Sequence, residues 1–366
     1  MVEWKRISDI CQLERGVRVV KKDLQDEGDI PVYQNSLTPL GFYEDSNYPG
    51  NTPFVICAGA AGEIGYSTKK FWAADDCTCI VCSPEINSKY VYYFLLVKQH
   101  ILKSQVRKAS VPRLSKEVIG KLQLPVISLS DQNRIVGILD TFTSSIENLK
   151  QQVAERRKQF EYYRDQLLDL EGKGKEEIHC WGEFCEMIKG NGVQKVDFVD
   201  EGKGCIHYGQ IYTHYGAFTY TTNRFVSEDV FEKAKKASKG DIIMTDTSEN
   251  VEDICKSVAY LGVEDIAVSN HALIIKHKQN SKFLSYSTQT NSFFLQKRKV
   301  VVGVKVSGIK PDHLAQIKIY LPNIEEQNRI VSILDTFEAS ISNLEAQLKE
   351  REKQYEYYRN KLLTFE

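Results

Sequence analysis

One stretch of this chain occurs twice. Gln132-Asn-Arg-Ile-Val-Gly-Ile-Leu-Asp-Thr-Phe142 returns as Gln327-Asn-Arg-Ile-Val-Ser-Ile-Leu-Asp-Thr-Phe337, 195 residues on, and the match runs without a gap to Leu168 and Leu363. Roughly two-thirds of the positions from Asp131 to Leu168 are identical in the second copy, more than shared helix propensity produces. Both copies carry a heptad pattern. Positions 139, 142, 146, 149, 153, 156, 160, 163, 167 and 170 hold Leu, Phe, Ile, Leu, Val, Arg, Phe, Tyr, Leu and Leu. The same steps in the second copy give Leu334, Phe337, Ile341, Leu344, Leu348, Arg351, Tyr355, Tyr358, Leu362 and Phe365, so the seam is apolar except at Arg156 and Arg351. A stripe this narrow suits a partner helix better than a globular surface, and two such helices in one chain can bury each other. An intramolecular antiparallel coiled coil is predicted, about 32 residues and on the order of 48 Å long at about 1.5 Å per residue.

The repeat divides the chain. The predicted order is a globular domain over residues 1–129, a coiled-coil helix over 130–170, a charged Gly/Lys linker over 171–177, a second globular domain over 178–324 and a second coiled-coil helix over 325–366. The globular domains share an outline. Each begins with a Trp, Trp4 or Trp181, in a helix-like stretch ending at Gly16 or at Gly190-Asn-Gly192. Each ends in a short helix and a strand leading to a Pro, with Pro125 two places earlier in the repeat frame than Pro322. Between these ends, segments such as Phe54-Val-Ile-Cys57 and Ala272-Leu-Ile-Ile-Lys276 read as twisted β structure, so the fold class is α+β with a pseudo-twofold internal repeat. A repeated frame with divergent contents suits a device that reads two different things in one geometry.

Composition matters chiefly for what it excludes. No apolar run approaches the roughly 20 residues of a membrane span, and the start lacks the apolar stretch of a signal peptide, so a cytoplasmic chain with no membrane partner is expected. The nine Cys, an odd number, read as reduced thiols, and Cys77-Thr-Cys79-Ile-Val-Cys82 reads as a half-buried strand rather than a zinc knuckle. Lys+Arg 48 against Asp+Glu 49 announces no nucleic-acid partner by itself, but the distribution is uneven. Lys98, Lys103, Arg107, Lys108, Arg113, Lys116 and Lys121 are opposed only by Glu117; Lys297, Arg298, Lys299, Lys305, Lys310 and Lys318 are opposed only by Asp312. Each stretch suits contact with phosphates, and each also suits a solvated face.

No cofactor is expected. Gly59-Ala-Ala-Gly62-Glu-Ile-Gly65 imitates a nucleotide loop, but the sequence after it is poor in helix formers, so a hairpin turn is predicted. There is no phosphate-binding loop for ATP, no Asn/Asp-Pro-Pro-Tyr of amino-methyltransferases and no paired acidic cluster of a metal nuclease. Two other readings stay open: a minimal nuclease using Asp75-Asp76 or Asp241 with a nearby Lys, and a coiled-coil adapter for proteins only.

In its repeated Leu-Pro followed by Glu/Asp-Gln-x-x-Ile-Val-x-Ile-Leu-Asp, and in the helix tail Lys-Gln-Phe/Tyr-Glu-Tyr-Tyr-Arg, the chain resembles the specificity subunits of type I restriction-modification systems. The segments Ile30-Pro-Val-Tyr33 and Ile206-His-Tyr-Gly-Gln-Ile-Tyr212 are similar in pattern. The resemblance implies a non-catalytic subunit that binds a bipartite site on double-stranded DNA, one half per globular domain. It also implies partners, namely two methyltransferase subunits and ATP-driven restriction subunits. Candidate DNA-binding residues in the first domain are Lys22, Gln34, Asn35, Tyr66, Ser67, Thr68, Lys69, Lys70, Lys108 and Arg113. In the second they are Tyr208, Gln210, Tyr212, Thr213, His214, Tyr215, Thr247, Ser248, Lys297, Arg298 and Lys305. Amides and hydroxyls suit base edges, aromatic rings suit stacking and the cations suit phosphates.

Overall fold

The computed structural model describes residues 2–301 and 307–365. The chain forms two compact units, Met1–Gln151 with Glu345–Glu366, and Gln152–Leu344. Each unit therefore combines a globular domain with the start of one long helix and the end of the other. Among the described residues no helix is long and apolar enough to cross a membrane.

In unit 1, a four-stranded antiparallel sheet runs Cys11–Arg15, Cys77–Cys82, Thr52–Ile56, Ile64–Ser67. A three-stranded sheet runs Gly41–Tyr43, Ile30–Tyr33, Trp72–Ala73, its last pair parallel. The Cys77–Cys82 segment is a strand as predicted, and burial raises the Cys77 and Cys79 thiols well above their ordinary range. Thr52–Ile56 and Ile64–Ser67 form the predicted hairpin, with Gly59 and Gly62 at φ 79° and 89° in its turn, where a side chain would be strained. The helix Ser88–Ser104 closes the core with Tyr90, Val91 and Phe94.

Unit 2 repeats this plan with five strands in each of two sheets. Its covering helix is broken into Ser281–Ser287 and Asn291–Val300. The break falls where Ser287, Thr288 and Thr290 turn their hydroxyls back onto the carbonyls of Phe283, Ser285 and Ser287, competing with the helix ladder. The helix-like opening expected after each Trp is instead strand, short turn, strand. Trp4 lies on Glu3–Arg6 opposite Pro125, half-exposed, whereas Trp181 is fully buried in a one-turn helix. The true counterpart of Trp181 is Ile7: Ile7 N–H donates to Leu122 O at 3.0 Å, and Trp181 N–H to Ile317 O at 3.1 Å.

The repeated motif is explained by what it holds. Asn87 caps the helix Ser88–Ser104, its Oδ1 accepting from Lys89 N at 2.8 Å and Tyr90 N at 3.2 Å. The Asn87 N–H donates to Gln132 Oε1 at 2.8 Å, Gln132 Nε2 donates to Ile127 O at 2.9 Å, and Asn87 Nδ2 donates to Asn133 Oδ1 at 2.7 Å. Asp140 then takes the Tyr93 hydroxyl at 2.5 Å and the Lys89 ammonium at 2.8 Å. Unit 2 has the same set. Asn280 N–H meets Gln327 Oε1 at 3.0 Å, Gln327 Nε2 meets Pro322 O at 2.7 Å, and Asn280 Nδ2 meets Asn328 Oδ1 at 2.8 Å. Asp335 takes Tyr286 at 2.9 Å and Lys282 at 2.7 Å. Ile127 and Pro322 are thus equivalent, and both long helices, Leu129–Leu168 and Ile324–Thr364, begin at the same place in the frame. The offset of Pro125 does not move the junction, because Pro125 belongs to the preceding strand.

Beyond the clasp the helices pair antiparallel. In unit 1 Phe142 stacks on Tyr358 with centroids 5.4 Å apart, and Arg351 lies over the Phe142 ring at 5.7 Å. In unit 2 Phe337 stacks on Tyr163 at 5.3 Å, with Arg156 over Phe337 at 5.9 Å. The two seam arginines therefore sit on aromatic faces, where their charge is attracted rather than buried. The ends of the predicted seam are different. Leu139 and Leu334 face the globular cores with Ile135 and Ile330, and at the far ends Leu168 and Leu363 are buried rather than Leu170 and Phe365. There each helix meets a globular core instead of its partner helix, and the core lies on a different face.

Gln132 and Gln327 are fully buried, and each satisfies a backbone donor and a backbone acceptor. Gln132→Leu keeps the volume and leaves both groups unpaired, at about 1–3 kcal/mol each. The expected outcome in urea denaturation is a unit 1 transition weakened by about 2–6 kcal/mol, followed through Trp72, while the Trp181 signal of unit 2 keeps its midpoint. Gln327→Leu should do the reverse. Equal weakening of both transitions by either variant would contradict a local clasp.

Candidate nucleic-acid interface

In unit 1 the structure divides the sequence-predicted residues into two groups. Gln34 and Asn35 follow the strand Ile30–Tyr33 and lie against the hairpin turn: Asn35 O accepts from Ala60 N at 2.9 Å, and Gln34 O accepts the Cys77 thiol at 3.2 Å. The basic loop docks there too, with Gly59 N donating to Pro112 O at 3.2 Å, Leu114 N to Cys57 O at 2.8 Å, and a bridge joining Ala58 to Arg113. Asn35, Lys108 and Arg113 are exposed. Tyr66, Ser67, Thr68, Lys69 and Lys70 sit at the opposite, open end of the hairpin. Tyr66 is half-buried, its hydroxyl 3.3 Å from Ser88 Oγ, and Ser67 is buried with its hydroxyl donating to Lys69 O at 2.7 Å. Thr68, Lys69 and Lys70 are exposed, as is Lys22 on the turn Lys21–Asp23.

In unit 2 more of the set comes together. Tyr208–Thr213 is a short helix whose cap is His207; Gln210 Oε1 accepts the His207 N–H at 2.7 Å while its Nε2 donates to Asn223, so this amide is engaged within the fold. The Tyr212 hydroxyl donates to Thr247 O, and Thr247 Oγ1 donates to the Asp246 carboxylate at 2.8 Å and lies 3.3 Å from His271 Nδ1. Tyr208 packs edge-on against His271 at 5.3 Å. Tyr215 is tied to Asn223 at 3.0 Å, and burial raises both the Tyr212 and Tyr215 phenols. Thr213 bonds back to Gly209 O at 3.0 Å and His214 is exposed beside Tyr215. Ser248 is half-exposed.

The second basic stretch is less of a surface than its sequence suggests. Lys297 is 4% exposed, its ammonium donating to Glu252 O at 2.8 Å and Ile254 O at 2.6 Å, and burial pulls its pKa below the ordinary lysine range. It tethers the loop after Thr247 and Ser248 and is not presented to a ligand. Arg298 is exposed; Lys305 lies outside the described residues. Two carboxylates of the nuclease alternative are engaged: Asp241 takes Lys276 Nζ and Ser238 N–H, each at 2.8 Å, and Asp75 faces Arg15 at 3.7 Å.

The hydrogen bonds superimpose the two domains strand by strand, which their sequences do not. Gly16 N donates to Cys77 O and Gly190 N to Ala272 O; Ala74 N donates to Tyr33 O and Ser269 N to Ile206 O. Cys57 N donates to Asp76 O and Asp246 N to His271 O; Leu114 N donates to Cys57 O and Ile309 N to Asp246 O. By these pairs Arg15 corresponds to Lys189, Asn35 to Tyr208, Cys57 to Asp246, Asp76 to His271 and Arg113 to Gly308. Sequence reasoning missed Arg15, Lys189 and His271. The available signal was a cation directly before a glycine that ends the second strand of each domain. Neither Gly16 nor Gly190 tolerates a Cβ, which would lie 2.3 Å from a carbonyl oxygen, Ala74 O or Ser269 O respectively.

Comparison with known proteins agrees with this duplicated plan. The family described as type I restriction modification DNA specificity domain matches twice, over residues 1–156 and 176–353. A putative type I restriction enzyme specificity subunit of Haemophilus influenzae is 26% identical over 100% of this chain and 96% of its own. The EcoR124I/EcoR124II specificity subunit of Escherichia coli is also 26% identical, over 100% of this chain and 94% of its own. The crystal structure of the S subunit of a type I restriction-modification system from M. genitalium superimposes with a TM-score of 0.65 at 17% identity, covering 100% of this chain and 97% of the other, a likeness of fold. The chain belongs to the family of type I restriction-modification specificity subunits.

Proposed function

We propose that the chain reads a bipartite sequence on double-stranded DNA, one half-site per globular domain, and recruits two methyltransferase subunits and the restriction subunits while catalysing nothing itself. One observation carries the reading. The two domains share a frame at equivalent strand positions, are clasped by the same polar set to the starts of duplicated helices, and differ in the side chains set on that frame. A frame kept while its contents diverge is what two readers of different sequences require, with phosphate contacts setting position and base contacts setting identity. The paired helices are the spacer between the readers in this proposal, and the partners are those that membership of a restriction-modification family implies.

Two outcomes are expected. The purified chain should retard duplex DNA with an affinity that falls steeply as salt rises, yet transfer no methyl group from S-adenosylmethionine and leave plasmid intact with Mg²⁺. Turnover in either assay overturns the non-catalytic assignment, and absence of retardation even at low salt favours a protein-only adapter. The second outcome concerns spacing. A heptad inserted after Leu149 and another after Leu344 keep the seam in register and lengthen each helix by about 10.5 Å, close to three base-pair rises. Methylation mapping should show an altered gap between unaltered half-sites, with circular dichroism confirming intact helices. A gap that stays the same assigns the spacing to the partner subunits instead.

A further inference from the structure

Each unit carries an exposed cation at the end of its second strand, held by a carboxylate beside the hairpin turn. Arg15 is 63% exposed, its Nε donating to Asp75 O at 2.7 Å and its guanidinium 3.7 Å from the Asp75 carboxylate. Lys189, its counterpart, is 64% exposed and 3.1 Å from the carboxylate of Asp246, which is itself 5% exposed. We propose that this end of each domain is the surface that meets the duplex, with Arg15 and Lys189 as its phosphate anchors. The inference rests on the bipartite reading above and places it on particular residues.

The argument is one of what changes and what does not. Around these two positions the equivalent residues differ: Gln34 against His207, Asn35 against Tyr208, Asp76 against His271, Arg113 against Gly308. Only the positive charge at the strand end is common. A group that stays the same while its neighbours change does work independent of base sequence, and on DNA that work is contact with the backbone. A carboxylate that orients the long side chain beforehand lowers the freedom it loses on binding. The neighbours that do change have the chemistry of base reading. Asn35 suits adenine and Arg113 suits guanine. Thr247 and His271 offer a hydroxyl and a ring nitrogen 3.3 Å apart, and His271 holds a φ of 63°, a backbone conformation that a non-glycine residue keeps only where its surroundings impose it. In unit 1 the anchor opens onto a cleft of about 360 Å³ where Arg15, Arg113 and Lys116 outnumber Asp75 and Asp76. The rival surface, Thr68 to Lys70, has no such counterpart, because the strand pairing sets Leu261, Gly262 and Val263 at those places.

The test sequences the duplexes that the full-length chain recovers from a random pool and titrates binding to them against salt. The wild-type chain should return two half-sites. A single motif or none defeats the bipartite reading, and this proposal with it, before any variant is made. Given two half-sites, Arg15→Ala and Lys189→Ala should each weaken binding about tenfold, lower the salt slope by about one and leave both half-sites unaltered. Arg15→Lys and Lys189→Arg should restore binding, which separates lost charge from lost fold. Asn35→Ala should relax one half-site and His271→Ala the other, while Ala at Thr68, Lys69 and Lys70 together changes neither. Wild-type affinity and salt slope in both anchor variants, or a half-site altered by the Thr68 triple variant and not by Asn35→Ala, would overturn the assignment.

Discussion

A buried glutamine side chain is the joint on which each half of this molecule turns. Gln132 and Gln327 each complete the cap of a helix through its Asn, and each holds the strand-to-helix connection through a carbonyl. An amide is suited to this because it carries a donor and an acceptor on one rigid plane, whereas a carboxylate or an ammonium would bring an uncompensated charge into a buried site. Asp140 and Asp335, two turns further on, fix the rotation of each long helix by taking a tyrosine and a lysine from the same covering helix. Direction and rotation of the helix relative to its own domain are thereby set by polar contacts at two heights. The apolar seam then adds affinity between helices without having to determine where they point.

The long helices and the duplication were legible in the sequence because a seam of period 3.5 and a match without gaps survive any divergence of surface residues. The rotation of their ends was not. Leu168 and Leu363 leave the heptad frame to enter globular cores, and nothing local distinguishes a leucine that meets a helix from one that meets a sheet. The hairpin of the Gly-rich turn and the cysteine strand were legible from composition. Trp4 and Trp181 misled, since two tryptophans near two domain starts invite alignment although one is on an edge strand and the other is core.

The kinship of the two globular interiors was hidden by a change of register. Gly16 and Gly190 lie 174 residues apart, whereas Ala73 and Val268 lie 195 apart, so the second domain carries 21 additional residues between equivalent strands. Self-comparison of sequence loses such a match; backbone hydrogen bonds do not. For the same reason the candidate site was only half visible. Side-chain chemistry alone suggested Ser67, Gln210 and Lys297, which the fold engages internally, and passed over Arg15, Lys189 and His271, which only the pairing of strands brings into view.

The burial of Leu363 in unit 1 also has a consequence in time. A chain leaves the ribosome from its N-terminus, and a self-contained first domain can fold as soon as it emerges. Here the core around Ile135, Leu139 and Tyr90 includes Leu363, which is made after the whole of unit 2, so the unit begun first is the one whose core is closed last. At about 5–20 residues per second, the wait is on the order of tens of seconds. During that interval the apolar face reserved for the final helical turns is open, and a polypeptide truncated before them keeps a first unit with an incomplete core. In such a chain, order in the first unit is conditional on a helical segment that follows the second.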